Sequence, residues 1–176
     1  EQQIIQPTIH GLASENITYH GFVFFGLINV NGEPFTIEYN CRMGDPETEV
    51  VMPRLKNDII ELFIAVHNGS LKNTVIEFDA RACAAVVAVS GGYPGDYKKN
   101  IKIKGLKNVE INNSIIIFHA GTKQVADTVV TNGGRVLAVT SFGENIGVAV
   151  QKSKLVLEQI HFDGMYYRKD IGYEFE

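Results

Sequence analysis

The stretch Glu38-Tyr39-Asn40-Cys41-Arg42-Met43-Gly44-Asp45-Pro46-Glu47 constrains the fold more than any other part of this chain. Polar and apolar residues alternate along it, and the run then turns into a Gly-Asp-Pro-Glu corner. On an extended strand successive side chains face opposite ways, so Glu38, Asn40 and Arg42 share one face. Ile37, Tyr39 and Cys41 share the other, which reads as the packed side. Upstream, residues 21–30 (GFVFFGLINV) read as a strand rich in aromatic and β-branched residues. Asn31-Gly32 follows, a strong short-range hairpin signal. The return strand is expected from Phe35 to about Met43, with Pro34 at its start, where a missing N–H does least harm.

Gly44 ends that strand and the corner opens a helix. Asp45 fits the N-cap, Pro46 the first helical position, and Glu47 complements the dipole in the first turn. The helix should weaken near Pro53. A second helix starts at Asn57 or Asp58, with Asp58 and Glu61 spaced as in a capping box. Its apolar stripe is Ile59, Ile60, Leu62, Phe63 and Val66, and Asn68-Gly69 stop it. The opening, through Pro7 and Gly11, reads as irregular.

From about Val75 the pattern changes to short strands, at 75–79, 82–90, 115–119, 126–131 and 135–141, separated by Gly, Pro and Asn turns. Residues 144–160 form the one later helical candidate, with Ile146, Ala149, Val150, Leu155, Val156 and Ile160 on a broad apolar face. A strand pair or extended tail covers 161–175. The break near Leu71–Thr74 divides the chain into 1–73 and 74–176. The first part is too one-sided to bury both faces of its hairpin, so it should pack on the second part, on missing sequence, or on both.

Composition narrows the function classes. The chain has 176 residues, of which 45% are hydrophobic and 20% charged, as in an ordinary soluble globular protein. A formal net charge of -4 leaves no electrostatic footprint for nucleic acid or an anionic membrane. No apolar run approaches the ~20 residues needed to cross a bilayer. Cys41 and Cys83 lie far apart and form no metal-binding pair, which fits two reduced thiols in a cytosol. No signal peptide is visible. The chain opens at Glu1 rather than Met, which suggests a piece of something longer.

A carboxylate and an amide oxygen spaced like Glu38 and Asn40 suit a hard divalent cation, and a neighbouring Arg42 suits the phosphate it would carry. The plainer readings are a solvated strand face for Glu38 and Asn40, and a salt bridge to Glu47 or Glu49 for Arg42. For Asp45 the plainer reading is a helix cap. The five histidines show no metal-ligand spacing. Gly91-Gly92-Tyr93-Pro94-Gly95 lacks the Gly-Lys-Ser/Thr ending of a phosphate loop and reads as a tight turn. Gly133-Gly134 reads as a hairpin turn.

Glu-x-Asn-x-Arg on a strand resembles the metal-binding strand of ATP-grasp ligases. EYNCRMGDPETEVVMPRL at 38–55, GGYPGDY at 91–97, HAGT at 119–122, TNGGRVLAV at 131–139 and YYRKDIG at 166–172 together resemble the phosphoribosylamine–glycine ligases. The resemblance implies an α+β chain: the C-terminal segment of an ATP-grasp domain (a β-hairpin plus two helices), then a small β-rich domain with one helix. It implies an ATP-dependent carbon–nitrogen ligase of purine biosynthesis, incomplete here and inactive alone, in the cytoplasm. Glu38 and Asn40 would ligate Mg²⁺ or Mn²⁺, Arg42 would be catalytic, and Asp45 and Glu47 would bind substrate. The partners implied are ATP, glycine, 5-phosphoribosylamine and missing N-terminal domains. ATP-grasp sites commonly add a carboxylate from the preceding strand, but residues 21–30 hold no acid. Another ATP-grasp carboxylate–amine ligase is a second reading. A carrier-like structural module is a third, although Met43, Met52 and Met165 all lack a neighbouring lysine.

Overall fold

The computed structural model describes residues 1–175. The chain divides into two compact units, 1–45 with 56–77, and 46–55 with the chain from Phe78 onward.

The first unit opens with α1, Ile5–Ser14, where the sequence suggested irregular chain. Pro7 falls in the first turn, whose N–H groups have no intrahelical acceptor, so it costs no hydrogen bond. Strands β1 (Phe24–Val30) and β2 (Glu33–Asn40) form an antiparallel hairpin. Its two-residue turn has positive φ at both Asn31 (54°) and Gly32 (90°), the geometry that matches the twist of paired strands. Gly32 N–H also donates to Asn29 Oδ1 at 2.8 Å. This tight turn starts β2 at Glu33, earlier than expected, and β2 ends at Asn40 rather than Met43.

Helix α2, Thr48–Arg54, lies in the other unit, and the second helix of this unit is α3, Ile59–His67. Asp58 caps it by accepting from Ile60 N–H at 2.8 Å. Leu62 and Ala65 are buried, whereas Ile60 and Phe63 are exposed, so the stripe is narrower than the sequence suggested. Phe63 meets Phe22 edge-on at 6.1 Å. The expected strand 75–79 does not form. Asn57 instead holds that segment, donating to Val75 O at 2.9 Å and accepting from Glu77 N–H at 2.6 Å. Phe78 pairs in an isolated bridge with Leu55, and at Val75 and Glu77 side-chain bonding to backbone takes the place of a ladder.

The second unit begins with α2, Thr48–Arg54. Residues 45–47 form a turn and Glu47, not Asp45, occupies the cap position, without a side-chain cap bond. Arg54 donates to Asp79 O at 3.2 and 3.0 Å. The core is a three-stranded antiparallel sheet in the order β3-β7-β4, made of β3 (Ala82–Val89), β4 (Ile115–His119) and β7 (Arg135–Gly143). β7 is central, and its near-continuous apolar and small sequence, VLAVTSFG, matches burial along almost its whole length. The small side chains of β3 admit α4, Ile146–Leu157, which Asn145 caps through Val148 N–H at 2.9 Å. Ala149, Val150, Ser153, Val156 and Leu157 are its buried face. Leu157, not the expected Leu155, completes the helical period. Ser153 Oγ bonds Ser141 Oγ at 2.9 Å inside this contact, so the buried hydroxyls satisfy each other.

The expected strand 126–131 is a hairpin instead, with β5 (Thr122–Val125) and β6 (Thr128–Thr131) turning at Ala126, φ 48°. Asn132–Gly134 then joins β6 to a different sheet, so Gly133-Gly134 is not a hairpin turn. It lies against other backbone: a Cβ on Gly121 would come within 2.6 Å of Gly133 Cα. Residues 161–175 make isolated bridges, Lys104 with His161 and Val89 with Tyr166, rather than a strand pair.

Leu137 is fully buried in the centre of this sheet. Leu137→Ala is expected to cost about 2–5 kcal/mol of unfolding free energy, read as a lower urea midpoint at unchanged slope.

Candidate site at the hairpin end

Strand alternation places Glu38 and Asn40 on one face of β2, and the side chains meet: Asn40 Nδ2 donates to Glu38 Oε1 at 3.1 Å. Opposite them on β1 stand Gly26 and Phe24. The pairing register shifts between Gly26 and Leu27, which pair with Glu38 and Thr36, so Ile37 is the extra residue and β2 bulges beside the acid. Glycine lets the acid lean across the neighbouring strand, since a Cβ at Gly26 would lie 2.8 Å from Glu38 Cγ.

The other face of β2 was expected to pack, yet Phe35, Ile37 and Tyr39 are exposed, Ile37 to 67%. A two-stranded sheet shields only its own width. Tyr39 gains an edge-on contact with Phe25 at 5.4 Å. Tyr39, Asn40 and Cys41 also line a groove of about 470 Å³ with Leu12, Ile17 and Tyr19.

Arg42 lies two residues beyond the strand, and its Nη1 donates to Met43 O at 2.8 Å. Backbone alternation therefore no longer fixes its direction. Tyr19 Oη lies 2.9 Å from both Phe22 O and Cys41 O, and so pins the exit of β2 beside the entry to β1. Asp45 belongs to the first compact unit, whereas Glu47 belongs to the second. Both are exposed.

Glu38 and Asn40 supply one carboxylate and one carboxamide, both hard oxygen donors. Among the described residues no group of three or more His, Cys, Asp or Glu could hold a metal ion. The pair fits magnesium's habit of taking one or two protein oxygens and completing its octahedron with water and phosphate. Asn40 now presents its NH₂ to the acid, and turning the amide would bring Oδ1 to the same place. Elsewhere, burial pushes the Cys83 thiol upward against the opposing pull of Arg54. His119 Nδ1 lies 3.0 Å from Thr122 Oγ1 in a local turn contact.

Residues 83–174 match the family model of the phosphoribosylglycinamide synthetase C domain, and residues 1–48 match that family's ATP-grasp (A) domain. The chain belongs to the phosphoribosylglycinamide synthetase family. It is 47% identical over 173 residues to phosphoribosylamine–glycine ligase of Vibrio cholerae, and 45% identical over 174 residues to that of Escherichia coli K12. These matches cover 98% of this chain but only 40% of each relative. The crystal structure of the Thermotoga maritima ligase superposes with a TM-score of 0.78 at 33% identity, covering 93% of this chain and 40% of that one. The biotin carboxylase domain of Hydrogenobacter thermophilus 2-oxoglutarate carboxylase shares the fold alone, with a TM-score of 0.61 at 18% identity over 96% of this chain and 40% of that one. The C-domain match identifies the β-rich part as a synthetase domain rather than a carrier module. No described helix is long and apolar enough to cross a membrane.

Tyr19→Phe removes the hydroxyl that pins Cys41. It is expected to cost about 0.5–1.5 kcal/mol and to speed amide exchange at Cys41–Met43, while leaving β1 and β2 protected.

Proposed function

We propose that this chain is the C-terminal portion of a cytoplasmic phosphoribosylamine–glycine ligase. Residues 1–73 would close the ATP-grasp domain and residues 74–176 would form the C-terminal domain. The observation that carries the reading is the meeting of the Glu38 and Asn40 side chains, Nδ2 to Oε1 at 3.1 Å, inside a segment matched by the family's ATP-grasp model.

In the reaction, a glycine carboxylate oxygen attacks the γ-phosphorus of ATP, releasing ADP and forming glycyl phosphate. The amine of 5-phosphoribosylamine then attacks the acyl carbon and phosphate leaves, giving glycinamide ribonucleotide. Glu38 and Asn40 would hold Mg²⁺ or Mn²⁺; such an ion, when bound, would neutralise phosphate charge as a Lewis acid. Arg42 turns from its present backbone partner to the transferring phosphoryl group, where a planar fork of N–H donors matches the equatorial oxygens. Asp45 and Glu47 are assigned to the glycine and phosphoribosylamine amines, which carboxylates recognise as cations or hydrogen-bond donors.

The test is product formation from ATP, glycine and 5-phosphoribosylamine by the complete polypeptide that carries this segment. Glu38→Ala and Asn40→Ala should each lower kcat/KM by roughly 100-fold or more, since the ion they hold contributes several kcal/mol. Arg42→Lys should keep the charge, lose the fork and fall between those variants and the parent. The 176-residue chain alone should show no turnover. Full activity of Glu38→Ala would remove the metal assignment, and turnover by the isolated chain would remove the assignment as an incomplete portion.

A further inference from the structure

The most specific unexplained feature of the hairpin is a glycine in the middle of a strand. Gly26 is flanked on β1 by Phe25 and Leu27, both large, so the strand does not favour small residues in general. Its backbone does not demand glycine either, because Gly26 is not among the positive-φ residues. A mid-strand glycine loses more chain entropy on folding than alanine and packs nothing, so it needs another reason to be there.

That reason is visible across the ladder. Gly26 is the register partner of Glu38, and a Cβ built on it would stand 2.8 Å from Glu38 Cγ. Comfortable carbon–carbon contacts are about 3.5–4.0 Å. The next nearest atoms, Glu38 N and O, are both at an ordinary 3.6 Å. The one conflict an alanine would create is therefore with the side chain of the acid. From its place over Gly26, Glu38 reaches Asn40 Nδ2 with Oε1. Moving Cγ away would swing the carboxylate to another rotamer and break its contact with the Asn40 side chain.

We propose that Gly26 is a positioning residue: by lacking a side chain it lets Glu38 lie across β1, where its carboxylate converges with Asn40 on one divalent cation. This rests on the metal reading of Glu38 and Asn40 given above. Gly26 touches neither ion nor substrate and acts only through the acid.

The experiment titrates Mn²⁺ alone into the 176-residue chain and into Gly26→Ala, Glu38→Ala and the double variant, with binding read by water-proton relaxation and folding by thermal melting. Gly26→Ala is expected to weaken Mn²⁺ binding by about 10–100-fold, the usual effect of disturbing a group that orients a ligand. Its melting temperature should stay close to the parent's. The double variant should bind no more weakly than Glu38→Ala, because the glycine has nothing left to position. Unchanged binding in Gly26→Ala, beside a clear loss in Glu38→Ala, overturns the role of Gly26 and leaves the metal reading standing. Unchanged binding in Glu38→Ala overturns the metal reading itself, and this inference with it. If Gly26→Ala fails to fold, the double variant decides. Its folding would assign the defect to the clash with Glu38; its failure would show that the backbone, not the acid, requires glycine.

Discussion

The register of the β1–β2 hairpin is the constraint on which the candidate site depends. Side chains on a strand alternate, so a slip of one residue would send Glu38 and Asn40 to the opposite face and bring Ile37 and Tyr39 to theirs. The turn prevents that slip. Asn31 and Gly32 both take positive φ, closing a two-residue loop that leaves Val30 opposite Glu33. Beyond the register shift at Gly26/Leu27, the acid falls opposite the one residue of β1 that can accommodate it. Turn, bulge and glycine together set the direction of a single carboxylate.

The second unit rests on a different principle. Its central strand β7 is buried on both faces, and small residues let α4 approach the sheet closely. Ser141 and Ser153 pair inside that contact, and Ala149 is wholly buried. Around it, chain segments pack against glycine: a Cβ on Gly105 would clash with Gln159 O, and one on Gly134 with the Tyr93 ring. Several of the motifs that carry the family resemblance, GGYPGDY, HAGT and TNGGRV, fall at such close approaches. Their glycines therefore have a packing explanation and need no bound phosphate.

Much of the fold was legible because local signals agreed with tertiary structure. Asn31-Gly32, the Asp58 cap and the apolar runs of β3, β4 and β7 were each readable from a few residues. The failures also have physical causes. Pro7 looked like a breaker but falls where a helix tolerates proline. Residues 75–79 have strand composition, yet their pairing is limited to an isolated bridge of Phe78 with Leu55, while the Asn57 side chain takes Val75 O and Glu77 N–H. The β5–β6 turn uses Ala126-Asp127, with an alanine at positive φ where Gly, Asn or Asp is usual. Within the site, alternation was enough to bring Glu38 and Asn40 together. It was not enough for Arg42, which lies past the last ladder pair, or for relating Asp45 to Glu47, which fall in separate compact units. Gly26 was missed because its partner across the ladder is known only once the register is.

The central claim is that two oxygens on one strand face converge on one ion, and paramagnetic broadening tests it most directly. With substoichiometric Mn²⁺ added to the isotopically labelled chain, the Asn40 side-chain amide and the backbone amides of Glu38–Asn40 should lose intensity before any others. Broadening that begins instead near exposed acids such as Asp96 or Asp163, while residues 38–40 stay sharp, would contradict the account.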